Sequence, residues 1–97
     1  MIEDLNQGIK ATKSAVETTP DGQPGLTVYQ FSLSKKLGIR YIWTREMEVL
    51  DQAILTLDGA MEIIPHGHVN LPGGLNNLAD FLGSRFEKIA SRLERRS

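Results

Sequence analysis

The strongest periodic signal in the chain lies near its C-terminus. At about 100° per residue, Leu75, Leu78, Leu82, Phe86, Ile89 and Leu93 fall in one apolar stripe, edged by Ala79 and Ala90. This spacing predicts an amphipathic helix over about 75–95 with its stripe turned to a core. Pro72, Gly73 and Gly74 read as the break before it. Asn76 or Asn77 is placed to cap it, and Asp80 puts negative charge in a first turn that favours anions. Gly83 costs roughly 1 kcal/mol relative to Ala without interrupting the stripe.

The middle of the chain reads as strands. Residues 26–33 hold Thr27, Val28, Tyr29 and Phe31 between a Pro-Asp-Gly turn signal and a Ser-Lys-Lys segment. In the next run Ile39, Tyr41 and Trp43 alternate with Arg40, Ile42 and Thr44, as in a strand with one buried face. Asp58-Gly59 lies between two apolar runs, the usual composition of a tight hairpin. Met47, Leu50, Ile54 and Leu57 are also spaced as a helix face, so residues 46–57 carry a competing helical reading; Thr56 and the symmetric flanks favour the hairpin. Near the N-terminus Ile2, Leu5, Ile9 and Val16 permit a helix, whereas Thr12, Ser14, Val16, Thr18 and Thr19 favour a strand from about residue 9.

The expectation is therefore one α+β domain spanning 1–97. Its antiparallel β-meander has strands at about 9–19, 26–34, 38–48, 53–58 and 60–64, packed on one face by the C-terminal helix. Trp43 should lie on the buried sheet face beneath Leu82, Phe86 and Ile89. A meander of this size has open edges, so a dimer or higher oligomer is expected through a sheet edge or the outer helix face.

Charge adds a third face to the C-terminal helix. Asp80, Glu87 and Glu94 share one outer side; Arg85, Lys88, Arg92 and Arg95 share another, with Phe81 among them. A solvated helix gains more from interleaving opposite signs at i,i+4. The segregation makes Phe81, Arg85, Lys88, Arg92 and Arg95 the candidate partner- or anion-binding residues, with Phe81 as apolar anchor. Cations at a helix C-terminus also follow from the macrodipole alone.

Composition narrows the function. The chain has 97 residues, 40% hydrophobic and 24% charged, with a formal net charge of −1, so no global field draws it to nucleic acid. With no cysteine, disulfides and thiolate metal sites are excluded. Met1 to Leu5 lacks the apolar core of a signal peptide and no apolar run is long enough to span a bilayer, so a cytoplasmic location without membrane contact is expected.

Catalytic signatures are weak. His66 and His68 could present two imidazoles to zinc or nickel but have only Glu62 and Asp58 near in sequence, and no metal or cofactor is expected. Gly73-Gly74 lacks the spacing and the Lys-Ser or Lys-Thr of a phosphate loop. No nucleophile stands beside a base. The residues suit a small non-enzymatic interaction module or regulator, bound to itself or to another protein. The alternative is a nucleic-acid accessory protein that contacts phosphates through the basic helix face.

Overall fold

In a computed structural model that describes residues 2–64 and 71–96, the chain forms four helices: α1 (Ile2–Thr18), α2 (Pro24–Thr44), α3 (Met47–Ile63) and α4 (Leu71–Arg96). No strand occurs among the described residues. The expected α+β fold with its antiparallel sheet is thus a helical bundle, and the five segments read as strands are helical or lie in short links.

The reason is visible in which side chains can be buried together. β-propensity differs from helix propensity by at most about 1 kcal/mol per residue, whereas burying one Leu contributes about 1.5–3 kcal/mol. Wound as a helix, α2 brings Leu26, Leu33, Leu37 and Tyr41 onto one buried stripe, and α3 does the same with Val49, Leu50, Ala53, Leu57 and Ala60. Leu50, Ala53, Leu57 and Ala60 are fully buried, and Ser34 sits among the buried residues with its hydroxyl donating to the Phe31 carbonyl at 2.8 Å. The small side chains let α2 and α3 approach closely, and this is the most extensive contact between helices among the described residues. In α3 the helical spacing of Met47, Leu50, Ile54 and Leu57 prevails, and Asp58-Gly59 is helix interior rather than a hairpin turn.

The threonines that argued for strands are accommodated by a different bond. Thr12 donates to the Gly8 carbonyl at 2.7 Å, Thr18 to Ser14 at 2.8 Å and Thr56 to Gln52 at 2.7 Å, so each hydroxyl is satisfied one turn back. Glu3 and Asp4 complement the start of α1, and Ile9 anchors it on α2. Gly22 turns the chain at φ 85°, and Pro24 then occupies the first turn of α2, where its missing N–H is no loss.

Alternation explains the displaced aromatics. Steps of two residues in a helix turn through about 200°, so Tyr41 is buried while Ile39 and Trp43 emerge on the outside. Trp43 is 66% exposed, and the expected core beneath Leu82, Phe86 and Ile89 does not exist.

The helix expected at 75–95 is present but starts at Leu71. Pro72, Gly73 and Gly74 are inside its first turn, and neither Asn76 nor Asn77 caps it. Its first turn contains no acid, so Asp80 lies beyond the reach expected of it. Two glycines seat α4. A Cβ on Gly38 would come within 2.6 Å of Phe81 Cε1; one on Gly74 would overlap Met61 Sδ and approach Phe31 Cε1 to 3.0 Å. Phe81, not the leucine stripe, packs against the core.

Gly83, by contrast, is open: a Cβ added there would meet nothing within 4 Å. Gly83→Ala should therefore stabilise the protein by about 0.5–1 kcal/mol through helix propensity. Gly38→Ala should lower the melting temperature despite the same propensity gain, because it displaces the Phe81 ring. Thermal melts of the two variants followed by circular dichroism check these opposite signs.

Candidate interaction site

Two surfaces of α4 carry the features of a site. The first is a basic depression where α4 passes the C-terminal end of α2. Residue Arg45 terminates α2 in the left-handed region, at φ 58°, with its N–H donating to the Tyr41 carbonyl at 2.7 Å. A non-glycine residue there costs of order 1–2 kcal/mol. The Arg45 guanidinium lies 5.8 Å from the Tyr41 ring centroid, within cation–π range.

Lys88 Nζ donates to the Arg45 carbonyl at 3.3 Å, so α4 supplies a cation to the carbonyl-rich end of α2. Arg92 and Arg95 continue the same side of α4. With Tyr41, Arg45, Ser84, Glu87, Lys88 and Ser91 they line one open depression, in which four cations face one carboxylate.

The sequence-derived residues are thus split. Lys88, Arg92 and Arg95 come together. Arg85 turns toward α3, where its Nε lies 3.5 Å from Asp51 Oδ1 in an ion pair with both side chains about half exposed. Such a pair contributes no more than about 1 kcal/mol. Phe81 is an internal anchor, packed against the core and lining the groove between α2 and α4 with Ile39 and Ile42. Arg45 was not legible as a site residue, because it joins the cluster only through its position at the α2 terminus.

The second surface was read as the core face. Leu75, Leu82, Phe86, Ile89 and Leu93 are exposed, from 44% at Ile89 to 72% at Phe86, and they lie about a quarter-turn or more around α4 from Phe81. Val28, Ile39, Ile42 and Trp43 leave a further apolar surface on α2. Scattered exposed apolar residues are ordinary, whereas these recur along five turns of one helix.

Among the described residues no group of three or more His, Cys, Asp and Glu could hold a metal ion, and His66 and His68 lie outside the described residues. Comparison with protein-family models, with curated proteins and with solved structures finds no match for this chain.

If Phe81 anchors α4 rather than a partner, Phe81→Ala should lower stability to urea by about 2 kcal/mol, less than the 3–5 kcal/mol of a fully buried Phe. Trp43 emission should be red-shifted and readily quenched by acrylamide in the native protein and should change little in this variant. A blue, protected emission would contradict the exposure of the α2 face.

Proposed function

We propose that the protein is a non-enzymatic interaction module that assembles with a protein partner through the apolar row of α4. The observation that carries this is the exposure of Leu75, Leu82, Phe86, Ile89 and Leu93 on a helix already held to its own bundle by other residues. The fold does not need the row. A partner that covers it gains the hydrophobic free energy that the monomer forgoes, about 25 cal/mol per Å².

The total surface supports the same reading. A compact monomer of 10.8 kDa exposes about 5,500 Å². This chain exposes 6753 Å². The excess exceeds the roughly 800 Å² that each partner buries in a standard interface. The Cα radius of gyration, 14.5 Å, is likewise above the about 12.5 Å of a compact chain this long.

Leu82→Lys with Phe86→Lys should abolish partner binding without lowering helicity, since neither side chain supports the bundle. Affinity capture from host extract with the native chain and the double variant, together with sedimentation of each alone, provides the measurement. A native chain that sediments as a monomer and retains nothing the variant fails to retain would end this reading.

Phosphate contact is the second reading, and the grouping of Arg45, Lys88, Arg92 and Arg95 around one depression is what favours it. Four phosphate contacts would give an affinity that falls with a slope of about −3 to −4 in log–log salt plots. The interaction reading instead expects weak, sequence-indifferent retention of DNA and RNA that vanishes at physiological salt. No helix among the described residues is long and apolar enough to cross a membrane.

A further inference from the structure

The exposed row of α4 has a regular spacing that goes beyond amphipathicity. Leu75, Ala79, Leu82, Phe86, Ile89 and Leu93 succeed one another at intervals of four, three, four, three and four residues, the pattern of a two-helix seam. Ala79 is exposed with the rest. Straddling this seam are two chemically different edges. One carries Leu78, Arg85 and Arg92. The other carries Asn76, Gly83 and Ala90, with Asp80, Glu87 and Glu94 immediately beyond these mostly small side chains.

We propose that α4 pairs in parallel with α4 of a second copy of this chain; the proposal rests on the interaction reading above and names its partner. The edges decide the direction. When two identical helices pair in antiparallel fashion, like edges meet, so in a pair centred on the seam Arg85 of one copy would face Arg85 of the other, while Asp80 and Glu87 of the two acidic sides also met. In a parallel pair each basic edge lies against the partner's opposite edge. Gly83 and Ala90 place almost nothing in the way, and the basic edge reaches across toward the acidic side that carries Glu87. Arg85 can do so from its place beside Asp51, which leaves it half exposed.

The geometry of the subunit permits this pairing. The bundle occupies the side of α4 that carries Gly74, Phe81 and Lys88, and the seam lies roughly 90° or more around the helix from it. A seam from 75 to 93 is about 27 Å long. The roughly 800 Å² that each copy buries in a standard interface is less than the surface by which this chain exceeds a compact monomer.

Light scattering coupled to size exclusion at tens of micromolar should give a mass of twice 10.8 kDa for the native chain. For Leu82→Lys with Phe86→Lys it should give the monomer mass with unchanged helicity. Direction is read from Ala79→Cys, a clean probe because the chain has no cysteine. In the parallel pair the two introduced thiols face each other and oxidise to a linked dimer. In an antiparallel pair centred on the seam each would lie about 15 Å along the axis from its counterpart and remain reduced.

Arg92→Glu should weaken self-association roughly tenfold, because it turns an attractive edge contact into a repulsive one. A monomeric native chain overturns the second copy as the occupant, while capture of another protein that depends on Leu82 and Phe86 would leave the interaction reading standing. A dimer that loses no affinity on Arg92→Glu, or in which Ala79→Cys does not crosslink, overturns the parallel arrangement.

Discussion

Everything in this molecule is referred to the contact between α2 and α3. Val49, Leu50 and Ala53 of α3 are buried in one cluster with Leu33, Leu37 and Tyr41 of α2, and Ser34 is buried with its hydroxyl hydrogen-bonded, so it is not left unsatisfied. Close approach of this kind requires small residues along the line of contact. It also fixes the junction between the helices. Two residues, Arg45 and Glu46, connect α2 to α3, and the left-handed backbone of Arg45 is what reverses the chain in so short a space.

The rotation of α4 is a consequence. The α2–α3 pair presents Gly38, Phe31 and Met61 to it, a surface that accepts one ring at Gly38 and the bare backbone of Gly74. Phe81 and Gly74 lie within about 20° of each other around α4, and Lys88 follows two turns after Phe81 to reach the end of α2. Once those contacts are made, the leucine row lies to the side. The basic cluster and the apolar row are therefore two products of one seating.

This arrangement separates what holds α4 in place from what α4 leaves exposed. Phe81 and the close approaches at Gly38 and Gly74 seat the helix on the bundle, whereas Leu82, Phe86 and Ile89 stay exposed. Val28, Ile42 and Trp43 of α2 are exposed as well.

The sequence by itself determined the C-terminal helix, its apolar row, its separated charges and the absence of thiol chemistry, because periodicity and side-chain type are local properties. It also contained the helical spacing of α3, which β-branched residues and Asp58-Gly59 outweighed in a local reading. Only the tertiary structure decided between helix and strand for residues 9–63, since propensities differ by less than the burial free energy of a matching stripe on a neighbouring helix. It alone decided which side of α4 is inside. An apolar row states that burial is favourable but not what will bury it, and here the notch at Gly38 takes Phe81 and leaves the row to solvent or to a partner.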